Sequence, residues 1–466
     1  MSESRSGTAK AFPVLRGQHD YRSMTDHVCD IVQVRPAGKA WYAGLVLALI
    51  LVALLITAIG YLFAKGVGIW GLNIPVAWGF AITNYVWWIG IGMAGTFISG
   101  ALLLLRQPWR TSINRAAETM TVMAVAIAGL FPILHLGRPW FAYWLAPYPN
   151  TMNLWPQWRS SLVWDFGAIL VYLIVSLLIW YLSLIPDLAT LRDRARTRIG
   201  QLFYGLTALG WRGDARHWQR HETVTRILAG LAVPLVFSVH SMVALDFSIG
   251  DTPGWHSTIF PPFFVAGALY SGFALVLVLS IPLRAIYGLQ DFITDRHLES
   301  MAKALLAAGL VVAYSYLVEA FIAWYSGNPY EIYLELNRVS GPYAPVYWST
   351  IMCNALIPQA LWFRRVRLNH TALVLISLVV LVGMWLERFV IVIISLHREY
   401  IPSQWDMFYP TFWDWAILIG SIGLFLLFLL LFVRLLPVLS MHELRKLIRQ
   451  MEGKQDEQAQ GEAGHG

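Results

Sequence analysis

The chain has 466 residues, of which 57% are hydrophobic and only 13% are Asp, Glu, Lys or Arg. A soluble domain carries about 25% charged residues, so this composition excludes a soluble enzyme, a disordered chain and a nucleic-acid-binding domain. The formal charge of +7 belongs instead to the loops that flank membrane spans. Two cysteines, Cys29 and Cys353, are too few and too far apart for a disulfide framework, a zinc site or a thiolate-held iron–sulfur cluster.

Crossing about 30 Å of hydrocarbon takes about 20 apolar residues. Ten runs meet that length, within 41–64, 76–104, 116–136, 162–185, 222–247, 259–286, 298–325, 344–363, 371–396 and 413–436. The expected fold is an all-α integral membrane protein with ten transmembrane helices. It comprises an N-terminal tail (1–40), a membrane domain (41–437) and a C-terminal tail (438–466). About 40 mostly polar residues precede the first run, so no signal peptide is evident and that span is retained.

Of the 34 Lys and Arg residues, 26 fall in the two tails and the even-numbered connections, and 5 in the odd-numbered ones. That asymmetry predicts both termini in the cytoplasm, and the chain is expected in a bacterial cytoplasmic (inner) membrane. The basic stretch 186–221 carries Arg192, Arg194, Arg196 and Arg198 and reads as a segment facing lipid headgroups. The stretch 137–161 is aromatic, Pro-rich and nearly uncharged. It fits an interfacial belt or a landing surface for an extramembrane partner. The tail after about 441 is Gln/Glu/Gly-rich and reads as largely disordered.

Ionisable residues inside spans are costly and are candidates for function. The alternating topology puts His135, Asp165, His240, Asp246, Glu319, Glu387 and Arg388 at one depth near the outer face. Each has an ordinary structural explanation alone. His135 could close a helix end, Asp165 could complement a helix dipole, and His240 could simply pack. Arg388 sits deep in its span and calls for a carboxylate; Asp165 or Asp246 suits it better than Glu387, which points about 100° away around the helix. Together they suggest one shared polar site. A hydroquinone must shed two protons with its two electrons, and histidine and aspartate at its hydroxyls can accept them. In the inner half, Glu118, Glu222, Arg226 and Lys303 are candidates for a proton path, although Glu222 and Arg226 can pair with each other at i,i+4. His135 and His240 are the one pair that could ligate a haem b; no metal site is otherwise suggested.

LHLGRPWFAYW at 134–144 and SSLVWDF at 160–166 resemble the NrfD/polysulfide-reductase-like membrane subunits. In length and span number the chain looks most similar to the quinol-binding C-subunit type of alternative complex III. The resemblance implies two four-helix bundles with two flanking helices. It implies menaquinol or ubiquinol bound near the outer face beside an iron–sulfur subunit. A second NrfD-like subunit and c-haem cytochromes would complete the complex, with no covalent cofactor in this chain. Carried over residue by residue, it assigns the quinone site to His135, Asp165, Asp246 and Arg388, with His135 and Asp165 catalytic; His240, Glu319 and Glu387 remain second-tier.

Three functions stay open at this point. One is the quinol-oxidising subunit of an electron-transfer complex, releasing or translocating protons. Another is a proton-coupled transporter, for which Pro234 and Pro282 inside spans are the nearest feature. The third is a scaffold or proton-path subunit of the F type in the same complex, to which the small-residue run GIGMAG at 90–95 is equally suited.

Overall fold

A computed structural model describes residues 14–17, 20–145, 161–450 and 452, and among these there are helices and no strand. Nine helical segments are long and apolar enough to span a membrane. After a short amphipathic helix, α1 (Tyr21–Gln33), come α2 (Lys39–Lys65) and α3 (Phe80–Leu104). The third span is interrupted: α4 (Asn114–Ala128) stops at Gly129 and resumes as α5 (Phe131–His135), where Pro132 lacks the N–H that would continue the ladder. Then follow α6 (Ser161–Arg194), the short surface helix α7 (Arg198–Thr207), α8 (Ala215–Ser248), α9 (Phe260–Tyr287) and α10 (Asp295–Ser326). The remainder is α11 (Pro329–Ser340), α12 (Ala344–Ile351), α13 (Arg364–Arg367), α14 (His370–Phe389) and α15 (Phe412–Leu435).

The expected span at 344–363 is present but is not a plain α-helix. It passes from α12 through a π turn, Met352–Leu356, into a 3-10 stretch, Ile357–Trp362. Pro358 cannot donate to the α ladder. The turn is held from outside: Tyr270 Oη donates to the Asn354 carbonyl at 3.0 Å, and Asn354 Nδ2 donates to Tyr316 Oη at 2.8 Å.

Helices α3, α4/α5, α6 and α8 pack into one bundle; α9, α10, α14 and the irregular span form a second, and α3 and α8 join the two through α9. The small residues at 90–95 make this joint. A Cβ on Gly95 would lie 2.0 Å from the Ala117 carbonyl of α4, and one on Gly272 of α9 would lie 2.3 Å from Ala94. Accordingly 83% of the apolar window of α3 is buried, against 22% for α2. Most of α2 faces outward, and its inner side pairs with α15 as the flanking layer.

The two ends of the chain meet on one face. Cys29 Sγ of α1 lies 3.8 Å from Met441 Sδ, and Arg445 Nη2 donates to Thr25 Oγ1 at 2.8 Å. Both ends on one face is consistent with an even number of passes, the irregular segment being counted with the nine long apolar helices. This terminal face corrects one expectation. Residues 441–450 are a helix that buries Met441, Leu444, Leu447 and Ile448, so this part of the tail is ordered by apolar contacts hidden in a polar composition. The N-terminal tail likewise contains α1, packed through Met24, Val28, Cys29, Ile31 and Val32.

Candidate functional site

Near the opposite, far face, three helices of the first bundle converge on two acids. Asp165 lies in the second turn of α6, whose first turn starts at Ser161. Asp246 lies near the end of α8, and Tyr85 in the second turn of α3. Tyr85 Oη donates to Asp165 Oδ2 at 2.6 Å. The carboxyl groups of Asp165 and Asp246 meet within hydrogen-bonding reach, and Ser161 bonds Asp246. Asp165 and Tyr85 are buried, at 5% and 4% exposure, and one oxygen of each acid (Oδ1) has no partner among the described residues. A hydrogen bond between two carboxyl groups requires that one of them hold a proton. No Lys or Arg is described in contact with either acid, so the pair is a proton-sharing site with two lone acceptors.

The other expected residues separate into distinct environments. His135 ends α5 on the same far face; its Nδ1 is buried and lacks a hydrogen-bond partner, so the ring presents a free nitrogen. No hydrogen bond joins it to Asp165 or Asp246 among the described residues. His240 is buried at 2% exposure, with Nδ1 3.0 Å from the Val236 carbonyl and Nε2 3.2 Å from the Ile89 carbonyl. Both nitrogens face carbonyl oxygens, so His240 packs and has none to give a haem.

Arg388 corrects the expected pairing. Its Nη1 lies 3.2 Å from Oε1 of adjacent Glu387, and its guanidinium carbon lies 4.1 Å from the centroid of the Phe264 ring. The long stem folds back beside Glu387 because α9 offers room there: a Cβ on Gly267 would lie 3.0 Å from Arg388 Nη2. Asp165 and Asp246 belong to the other bundle. Glu387 also accepts a hydrogen bond from Tyr316 Oη. Glu319 pairs with Arg338 at 2.7 Å, and Arg338 also holds Glu335 at 2.5 Å. Tyr316, Glu319, Glu335, Arg338 and Glu387 line a small cleft together with Phe263 and Tyr347. The far-face groups therefore form two clusters, one per bundle, rather than one.

On the terminal face, Glu118 is buried and accepts from Asn114 Nδ2 at 3.0 Å and Ser183 Oγ at 2.6 Å. The single track expected from Glu118, Glu222, Arg226 and Lys303 is absent. Glu222 pairs with Arg226 at 3.2 Å and Lys446 at 2.8 Å, and Lys303 pairs with Glu299 at 3.2 Å, all with half-exposed cations. They lie on outward helix faces, where charge is solvated. The inner partner of the bundle is instead Arg115, fully buried and 2.7 Å from Asp187, on a continuation of α6 that the sequence assigns to a connection. Much of the aromatic stretch expected at 137–161, residues 146–160, lies outside the described residues.

Sequence reasoning missed Tyr85, Tyr316, Asn354 and Arg338. The first three sit in apolar helices where a Tyr or Asn reads as core, and Arg338 sits in a surface connection. Only the presence of a carboxylate on a neighbouring helix distinguishes them.

Comparison with known proteins bears on this arrangement. The chain is 30% identical over 246 residues to a protein of Halobacterium salinarum named as a putative membrane subunit of dimethyl sulfoxide reductase. That match covers 52% of the chain and about half (51%) of the relative. It is 21% identical to a selenate reductase subunit of Mesobacillus selenatarsenatis, over 84% of the chain and 92% of the relative. It is 22% identical to the Hdr-like menaquinol oxidoreductase integral membrane subunit of Archaeoglobus fulgidus, over 86% and 96%. By their names all three are subunits of oxidoreductases, two of them membrane subunits, and the chain is a multi-pass membrane protein consistent with a bacterial inner membrane. The sequence profile of the polysulphide reductase NrfD family matches residues 69–398, both helical bundles, and the chain belongs to that family.

Proposed function

We propose that this chain is the quinol-binding and quinol-oxidising membrane subunit of a quinol:electron-acceptor oxidoreductase of the alternative complex III type. The observation that carries the reading is the Tyr85–Asp165–Asp246 cluster: a buried acid and a half-buried one, each with an unpartnered oxygen and with no Lys or Arg in contact among the described residues, near the far face. A hydroquinone hydroxyl would find a proton acceptor there, with the free Nδ1 of His135 as a second acceptor on the same face. Oxidation removes two protons and two electrons. The protons would pass to Asp165/Asp246 and His135, and thence to the aqueous phase beyond the far face, which this reading makes the outer face. The electrons would pass to an iron–sulfur subunit docked there, and onward through c-haem subunits to a cytochrome c or copper protein. A lipid-soluble substrate suits a site reached sideways from the bilayer. That one relative is named a menaquinol oxidoreductase subunit supports the substrate class. Whether protons are also translocated depends on a route from Glu118.

The test is quinol-dependent reduction of an external acceptor by the purified assembly, comparing wild type with Asp165→Asn and His135→Ala. Loss of turnover with assembly intact is expected. Full activity in both variants would remove the site and leave a scaffold role.

A further inference from the structure

On the terminal face the first bundle holds a small cleft with room for water-sized molecules. Its deep wall is formed by Ser99, Asn114, Glu118 and Ser183, and its outer wall by His442 and Glu443. Two of these residues turn unsatisfied acceptors inward: Asn114 Oδ1 and Glu443 Oε2 are buried with no partner. Arg115 Nε and Nη1, beside the cleft, are unpaired as well. Buried polar groups are almost always hydrogen-bonded, so acceptors and donors left open around one cavity call for water.

The outer wall is not part of the membrane domain. Glu443 and His442 belong to the helix of residues 441–450, which reaches the bundle through the loop after α15 and sits across the mouth. Asp187 of α6, held by Arg115, accepts the first two free amides of that helix, from Met441 at 3.2 Å and His442 at 3.1 Å. Glu443 is clamped by Arg110 at 2.9 Å. Burial alone would raise the Glu443 carboxyl, but Arg110, His442 and Arg115 outweigh it and hold the carboxyl below its ordinary value. The His442 ring meets His221 edge to face at 5.3 Å. The attachment is thus polar toward the cleft, and toward α1 it combines the Met441–Cys29 contact with the Arg445–Thr25 hydrogen bond.

We propose that the 441–450 helix is a lid over a water- and proton-accessible inlet that runs from the terminal face to Glu118. The quinol reading is not needed for this inference, and its test measures no turnover.

Ser99→Cys places a thiol in the cleft, and Met441→Cys places one beside Cys29, so that oxidation ties the lid to α1. The double variant is prepared as the assembled complex in lipid nanodiscs. A small, charged, membrane-impermeant methanethiosulfonate is then applied, and modification of position 99 is followed by peptide mass mapping. The oxidised sample is expected to react about tenfold or more slowly than the same sample reduced and freed of reductant, because labelling needs local opening. In Ser99→Cys without the lock, adding Arg110→Gln and Lys446→Gln is expected to speed labelling by a similar factor. Equal rates in locked, free and loosened forms would overturn the lid. No reaction at position 99 in any form, including the loosened one, would overturn the inlet. The oxidised and reduced samples are one preparation, so a folding defect cannot imitate the difference.

Discussion

The two far-face clusters solve the same problem of burying acids in opposite ways. In the second bundle every acid has a cation: Glu387 has Arg388, while Glu319 and Glu335 share Arg338. In the first bundle Asp165 and Asp246 have, among the described residues, each other, Tyr85 and Ser161 and no cation. Removing an acid's cation leaves an uncompensated charge in low dielectric, whereas a pair of carboxyl groups can remain neutral by holding protons. The acids of the second bundle can thus stay ionised beside their arginines, whereas the Asp165/Asp246 pair, with no cation described beside it, can hold a proton, which is what the proposed function asks of it. Proximity to the far face does not distinguish them; charge balance does.

That contrast can be broken from either side. The largest effect is expected from Arg338→Ala, which strands Glu319 and Glu335; a loss of about 3–5 kcal/mol of stability should appear in thermal or denaturant unfolding in detergent. Arg338→Ala unfolding as wild type would mean that the second cluster is hydrated and its ion pairs idle. Next comes Asp165→Asn, which should lower quinol turnover by about 10²-fold or more while leaving unfolding nearly unchanged, since the amide can keep the Tyr85 contact. If its main effect were on stability, the two clusters would be alike after all. Tyr85→Phe removes one hydrogen bond from the pair and should cost about 1 kcal/mol, read as a turnover loss of about fivefold and a displaced pH profile of turnover. A stability loss without a displaced profile would make Tyr85 merely structural.

The smallest effect concerns the lid. Glu443 is held below its ordinary carboxyl value in the folded protein, so its contribution is complete above the unfolded value, about 4.3, and fades as pH falls through the folded one. The protection factors of residues 441–450, corrected for the intrinsic pH dependence of exchange, should therefore fall in acid, and Glu443→Gln should be weakly protected at neutral pH and lose that dependence. A fall in acid that persists in Glu443→Gln would assign it to other acids, with Asp187 the first candidate.

Much of this was legible in one dimension. Apolar runs of about 20 residues have few alternatives in a bilayer, because backbone polar groups must be satisfied within each segment, so span number and depth followed from composition. Depth alone grouped His135, Asp165, His240, Asp246, Glu319, Glu387 and Arg388 as one candidate set, including His240, which the structure packs against carbonyl oxygens. What depth cannot encode is which helix faces which. The rotation of Arg388 toward Glu387 depended on the gap at Gly267, and the π turn at Met352–Leu356 depended on Pro358 together with Tyr270 and Tyr316 from neighbouring helices. The 441–450 helix was hidden for a related reason: Met441, Leu444, Leu447 and Ile448 are too few to stand out in a polar tail, and acquire meaning only once they are buried in the folded chain.

The sequence by itself determined an integral membrane protein with an even number of crossings, two basic ends and a set of acids near the face opposite them, because hydropathy and charge act on each segment alone. Only the tertiary structure decided that Asp165 meets Asp246, that Arg388 and Arg338 stand beside the acids of the second bundle, and that the helix of residues 441–450 lines the cleft below Glu118. Those are pairwise contacts between helices, and a contact costs or contributes free energy only once both partners are in place.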